Sequence, residues 1–549
     1  MLSRSGSRFA ALAFIALAGA AGPTCAAAAP PLLAPGLDPG LINESLRRQF
    51  ELQRPDAPPP QGSVSVDAPA PDGPGVASGS LRFALKAVRF DPSHYLGEQT
   101  LAALARPLEG REVGIDELKA LVMRINALYT ARGLATARAV LAPQSIEDGT
   151  VVVRLIEGRL DRIAVKGGST RSQNHARAAL QLDSGTYADP RDLEARLRLF
   201  NRENDAHLRA ALSAGENLGQ TDLELQLVEP PRLGLEVFAD NNGYRSTGRW
   251  EEGAILRAFR LLGGADRASL VAVRSPGVRS LSGAWSTPVG SSARFGLTGS
   301  WGQTTIARSS TNPLDIRGRS NTVGADLALS LVNRNAFALH LDNTLSVTQS
   351  DTRISGQRVV DNQVVTGALA LLFDLTTTRL IGSGHVEAAY STVREQVSGT
   401  SSRPVILRGD MQFSRALGGH GAWLKLRGDG QLSCDGALPG LLQYQIGGAR
   451  SARALDPGTA AGDSGYTVAL EAGQSKSLGR SALDVSLFVD HAAAFAHGQA
   501  AESATDIGTA LAISLSNRIS VRGQYAWAVD HHGAQGLPKR GYVSVSARF

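Results

Sequence analysis

One carboxylate stands in an alternating stretch, Leu487-Phe488-Val489-Asp490. Successive side chains of a strand face opposite ways. If Leu487 and Val489 face outward, Phe488 and Asp490 share an enclosed face. A carboxylate there is costly unless paired or hydrated. The residues alone leave both options open, an ion pair or a wet charge. Gly462-Asp463-Ser464-Gly465 could present a serine nucleophile, but four small residues are a weak signal with no protease domain around them, so a loop turn is expected. Asp530-His531-His532 offers two imidazoles, yet neighbours in a strand point to opposite faces, which disfavours a shared metal ion. No nucleotide-binding loop and no His-Glu-x-x-His occurs. The sequence therefore predicts no catalytic residue, no metal site and no cofactor, and points away from an enzyme.

The element that must hold Asp490 belongs to a long alternating region. From Leu233 onward, the segments 269–273, 293–299, 336–347, 483–489 and 541–549 alternate, punctuated by glycine, serine and asparagine. All five tryptophans (Trp250, Trp285, Trp301, Trp423, Trp527) fall there. Interfacial aromatics and a two-residue period mark a transmembrane barrel. Aromatics make up only 5% of the chain, so the girdles would be thin. The region counts 549 − 232 = 317 residues, room for about 16 strands at roughly 20 residues per strand and connection. Val543, Val545 and Phe549 put apolar groups on one face and end on an aromatic, a C-terminal barrel signal. A soluble barrel or solenoid of this length would need a larger aliphatic core.

The front half reads differently. Residues 1–29 resemble a secretory signal peptide: Arg4 and Arg8, an apolar run from Ala10 to Ala20, then small residues at 26–29. That run is too short to span about 30 Å of hydrocarbon. Beyond it no apolar run nears the roughly 20 residues of a spanning helix, so a membrane-embedded mature chain must be a closed barrel. With Cys25 in the leader, Cys434 stands alone and no internal disulfide is expected. The net charge of +6 comes mostly from arginine, with no basic run dense enough for nucleic acid.

Asp38-Pro39 predicts a helix start, and Ile42, Leu46 and Phe50 recur every four residues, giving a short amphipathic helix over 39–53. Alone it would fray, so it needs a docking site. Residues 54–80 contain seven prolines and form a semi-rigid linker. Residues 81–158 read strand, helix, helix, strand, strand; a stripe from Ile115 through Leu118, Leu121, Val122, Ile125, Leu128 and Tyr129 marks the longer helix. Residues 159–231 repeat that order, with Leu193, Leu197 and Phe200 on a helix.

At this point the chain resembles a known family, the outer-membrane transporters of two-partner secretion (TpsB), or haemolysin secretion/activation proteins. Asp240, Asn241, Gly243, Thr247, Gly248 and Arg249 resemble that family's first-strand motif. Tyr129, Gly133, Pro143, Gln144, Asp148, Gly149, Glu157 and Gly158 resemble the end of its first POTRA domain. Gly447, Gly448, Ser451, Arg453, Gly462 and Asp463 resemble its long loop, whose valine–arginine–glycine–aromatic tetrad reads Ala452-Arg453-Ala454-Leu455 here. Its phenylalanine–x–aspartate–x–glycine motif reads Phe488-Val489-Asp490-His491-Ala492. The arginine is kept, while the tetrad's glycine and aromatic and the second motif's glycine are replaced.

The resemblance implies the parts in order: a plug helix, a linker, POTRA domains at 81–158 and 159–231, and a membrane β-barrel of about 16 antiparallel strands at 232–549. It implies that Arg453 folds in on its loop to pair with Asp490. It implies a bacterial outer-membrane location with periplasmic POTRA domains. The partners it implies are a large secreted exoprotein (TpsA-type, a β-helical adhesin or haemolysin) bound unfolded, outer-membrane lipid, and the barrel-assembly machinery for insertion. Capture by strand addition at a POTRA sheet edge is the expected physics; 218–228 is one candidate edge, with an internal strand the equal alternative. The rival readings are a barrel-assembly or insertion factor, which usually carries more POTRA units, and a diffusion porin, which would not need residues 81–231.

Overall fold

The computed structural model describes residues 33–51, 64–66, 82–134, 136–146, 148–262, 264–306, 314–418, 421–434, 436–516, 518–532 and 537–549. The expected leader at 1–29 and most of the proline-rich stretch at 54–80 lie outside them, as does the side chain of Phe50.

Two-residue alternation builds the larger part. Sixteen long antiparallel strands, from Leu233–Asp240 to Lys539–Arg548, pair in sequence order and close into a barrel. The short strand Thr400–Ser402 doubles back on Leu380–Glu395 as a ribbon. Leu345, Leu369, Leu487 and Val543 point outward and stay exposed, while Phe488 and Asp490 on the alternate face are buried inside. Such an apolar outer belt is stable only against lipid. No helix among the described residues is long and apolar enough to cross a membrane.

Closure rests on a short seam. The first and last strands pair from Glu236↔Arg548 to Asp240↔Ser544, five pairs, against eighteen between Phe337–Ile354 and Gln357–Thr376. Leu235 and Phe549 exchange both backbone hydrogen bonds at its lower end. The Asn241 side chain extends its upper end, donating to the Gly541 carbonyl (3.1 Å) and accepting from the Val543 amide (2.7 Å).

Ahead of the barrel lie two small α+β units. In the first, the ribbon Arg82–Leu85 with Arg111–Gly114 flanks a sheet of Ala87–Phe90, Thr150–Glu157 and Ala137–Val140. Helix Ile115–Ala131 buries Leu118, Leu121, Ile125 and Tyr129 against Val151, Val153 and Leu155. Glu157 ties this unit's turn: it accepts from the Tyr129 hydroxyl (2.9 Å), the His94 amide (2.7 Å) and Ser93. Burial pushes the Tyr129 phenol above its usual range. The Gln144 side chain extends the ladder by bonding both the amide and the carbonyl of Val152, each at 2.8 Å.

The second unit packs helices Thr170–Leu180 and Pro190–Glu203 on strands Arg159–Lys166, Gln220–Val228 and His207–Ala214. It is fastened to the barrel. Glu229 pairs with Arg260 at 2.7 Å, and Arg294 Nη2 donates to the Glu203 carbonyl at 2.7 Å. Burial works against the Glu229 carboxylate, but Ser172, Ser169 and Arg260 together hold it below its ordinary value.

The strand order of this sheet decides between the two readings of 218–228. Gln220–Val228 lies inside, between Arg159–Lys166 and His207–Ala214, so 218–228 offers no edge. The free side of His207–Ala214 is taken by Val64–Val66, a strand from the proline-rich segment, paired in parallel from Val64↔Ala210 to Val66↔Leu212.

Candidate functional site

The lumen is filled from two sides. Helix Pro39–Glu51 starts where Asp38 Oδ1 accepts the amides of Gly40 (2.8 Å) and Leu41 (3.3 Å), a local N-cap before a proline at the first helical position. The helix lies inside the barrel. Its Ile42 and Leu46 bury against Val278, Ile306 and Ile316 of the wall and Tyr244 of the first loop. Thr304 Oγ1 donates to Asn43 Oδ1 at 3.1 Å. Glu44 accepts from both Arg47 (2.7 Å) and Arg48 (2.8 Å), which ties the helix's polar face together. Glycines make room for the helix: a Cβ on Gly302 would stand 2.7 Å from Asn43 Oδ1, and one on Gly318 would collide with Pro39.

The second filler is the chain between strands Ala422–Ser433 and Ser464–Leu478. It folds inward through a ribbon, Tyr444–Ile446 with Ala460–Gly462. Asp463 anchors its base, accepting the amides of Leu438 (2.6 Å) and His497 (2.7 Å). A Cβ on Gly462 would stand 2.5 Å from the Phe495 backbone, so the position carries no side chain. Gly447 takes φ +98, and a Cβ there would strike the Asp456 carbonyl. Gly448 takes φ +101, and the Ser451 hydroxyl shares a hydrogen bond with Thr467 at 2.8 Å.

At the tip, the structure brings together the two residues that the sequence singled out. Arg453 Nε and Nη2 donate to Asp490 Oδ2 and Oδ1 at 2.6 and 2.7 Å, with the Phe488 ring 3.2 Å from the guanidinium carbon. Both partners are sealed from solvent, at 2% and 0% exposure. Glu471 adds a second carboxylate 3.5 Å from Arg453 Nη1. Alanine at 454 fits where the family has glycine, because Ala510, Ala526 and Ala528 pave the wall beneath it. Leucine at 455 is buried, and its carbonyl accepts from the Tyr542 hydroxyl at 2.9 Å.

The first-strand motif shapes a neighbouring loop. Asp240 is buried opposite Glu251 and accepts the Asn242 amide at 2.9 Å. A Cβ on Gly243 would strike the Gly248 carbonyl, and Gly248 itself takes φ +101 beside Pro276. The Thr247 carbonyl accepts the Gly277 amide at 2.7 Å. Arg249 reaches Asp456 of the inward loop at 3.4 Å, and Arg540 of the last strand contacts the same carboxylate. Val543 and Val545 face outward and Phe549 ends the seam.

The other singled-out groups stay apart. Ser464 Oγ accepts the Ser433 amide and opens a strand. His531 and His532 are consecutive in strand Ile519–His532 and so face opposite ways. Residues not named from the sequence also complete the site: Tyr244, Glu471, Asp506 and Tyr542. Asp506 Oδ2 accepts the Ala454 amide at 2.7 Å. Alternation marks Asp506 as inward-facing, but nothing local distinguishes it from any other lumen acid.

Comparison with known proteins follows the same parts. The profile for POTRA domains of the ShlB type matches residues 83–158. The haem/hemopexin transporter protein HuxB of Haemophilus influenzae is 25% identical over 266 residues, 47% of each chain. The outer membrane transporter CdiB of Dickeya dadantii is 27% identical over 186 residues, 34% of this chain and 33% of that one. These matches span half or less of the curated relatives' length. CdiB from Escherichia coli shares the fold, with a TM-score of 0.69 at 18% identity over 93% of this chain and 99% of that one. The profile for the haemolysin secretion/activation protein ShlB/FhaC/HecB matches residues 219–516, more than half of the chain, so this outer-membrane barrel with periplasmic POTRA domains belongs to that family.

Proposed function

We propose that the chain is a protein transporter of two-partner secretion: it binds an unfolded exoprotein in the periplasm and passes it through the barrel to the cell surface. The observation that carries this reading is the shared segment at 64–66. It closes the free edge of strand His207–Ala214 in the second POTRA domain, and it belongs to the tether of the helix that fills the lumen. A client adding its own strand to that edge competes with Val64–Val66. The helix ends at Glu51 and the tether strand begins at Val64, which caps their separation at about 45 Å. Releasing the strand frees the helix to leave. The loop holding Arg453 then rearranges, and the client threads the lumen and folds outside. Folding of the client supplies the direction of transport. The client is a large exoprotein of the TpsA type, an adhesin or haemolysin with a β-helical fold.

The test compares culture-medium proteins from cells with and without this gene, complemented by the intact chain. Loss of one large exoprotein, restored by complementation, is the expected result. An unchanged medium with broad loss of other outer-membrane barrels would mean an assembly factor instead. An unchanged medium with only small-solute entry altered would mean a porin.

A further inference from the structure

The helix and the inward loop fill the lumen as separate segments, yet one side chain touches both. Tyr244 sits in the first loop, within the stretch from Asp240 to Arg249. Its hydroxyl lies 2.6 Å from Ser45 Oγ of the helix and 2.6 Å from Gln445 Oε1 of the loop ribbon. The single phenolic proton goes to Gln445, because an amide oxygen only accepts. Ser45 Oγ also donates to the Ile42 carbonyl at 2.9 Å, so its one proton is shared between that carbonyl and the phenol oxygen, and the three groups form one hydrogen-bonded chain. The ring buries at 5% exposure among Ile42, Leu46, Val278, Ile306 and Ile316. Gly458, at the loop's far side, lies against it: a Cβ there would come 2.7 Å from the ring. Ser246, two residues on, donates to the Gly36 carbonyl just ahead of the helix at 2.5 Å.

We propose that Tyr244 is a positioning residue that couples the two fillers, so that loosening the loop loosens the helix and the reverse. The proposal rests on the transport reading above only in taking the helix to be removable. The fillers also touch directly, where Gly440 lies against Asp38 and Gly458 against Gly36, and the Tyr244 hydroxyl adds a link that a single-atom change removes. The hydroxyl links the two states, since moving either filler removes one of the phenol's two buried hydrogen bonds. A coupling of this kind is reciprocal, so it is measurable from either end.

The test uses the purified chain without a client. Cys25 and Cys434 are replaced by serine and Arg47, on the helix's polar face, by cysteine. The readout is the rate at which a bulky maleimide modifies the cysteine at 47. Tyr244→Phe keeps the ring in the apolar cluster and removes only the hydroxyl; it is expected to raise the rate about two- to tenfold. Gln445→Ala, a change on the loop, is expected to raise it comparably in the Tyr244 background and to add nothing to Tyr244→Phe. Heat-modifiable migration on gels checks that each barrel is closed. If Tyr244→Phe fails that check, Ser45→Ala with Gln445→Ala gives the same cycle. A Gln445→Ala rate equal to the parent's, or effects that simply multiply, overturns the coupling. Because no client is present, failure here leaves the secretion result untouched, and a failed secretion result leaves this one standing.

Discussion

Arg453 grips Asp490 through two parallel hydrogen bonds of 2.6 and 2.7 Å in a site closed to water, although the two residues come from a loop and a strand 37 positions apart. Paired charges of this geometry are tolerated in the interior, and removing one partner strands the other. Asp490→Ala is expected to destabilise the docked loop by about 3–5 kcal/mol. Arg453→Lys loses the two-pronged grip and falls between the parent and Arg453→Ala. Exoprotein release should drop in both alanine variants while heat-modifiable migration shows a normally inserted barrel. Parental secretion by both would contradict a working role for the pair.

The helix footprint gives a second expectation. Gly302 accommodates Asn43, and a valine there overpacks the contact by about 1–3 kcal/mol. Gly302→Val should therefore shift the helix out of the lumen without unfolding the barrel, and bilayer recordings should show more frequent openings. Recordings indistinguishable from the parent's would mean that the wall does not select the helix.

The strand at 64–66 should act as a competitor. Replacing Val64, Ser65 and Val66 by proline removes its backbone donors and so its pairing with strand His207–Ala214. Binding of an unfolded exoprotein fragment, followed by calorimetry, should tighten about two- to tenfold. Weaker binding would place the client elsewhere.

Acid should loosen the joint between the second α+β unit and the barrel. The Glu229 carboxylate is held below its ordinary value by hydrogen bonds and Arg260, which outweigh its burial. A lowered folded value means that the joint gains its full support above the unfolded value of about 4.3 and loses it as pH falls through the folded one. Fluorescence distance measurements between the domain and the barrel should therefore broaden in strong acid and stay narrow at neutral pH. Glu229→Gln should broaden them already at neutral pH; a narrow distribution in that variant would assign the joint to other contacts.

What the sequence revealed tracks what is periodic. Leu487, Phe488, Val489 and Asp490 alternate in print as they do across the wall, and the four-residue spacing of Ile42 and Leu46 marks one face of a helix. The pairing of Arg453 with Asp490 came from resemblance, since composition alone favours a wet charge. The sheet edge was not legible: Gln220–Val228 and His207–Ala214 alternate alike, and only the order of strands makes one internal. Val64–Val66 is too short for a period and lies among prolines. Tyr244 was hidden for another reason: its partners Ser45 and Gln445 lie 199 and 201 positions away, and only the fold brings them together.

The central claim is that an exoprotein passes through this lumen. Adjacent residues of one strand test it: Ser346 and Leu345 alternate, with Leu345 on the exposed lipid side. A photoreactive benzophenone side chain is placed at each in turn, and cells are irradiated during secretion. The account predicts a crosslink to the exoprotein from position 346 and none from 345. Crosslinks from 345 alone, or from neither during active secretion, would contradict it.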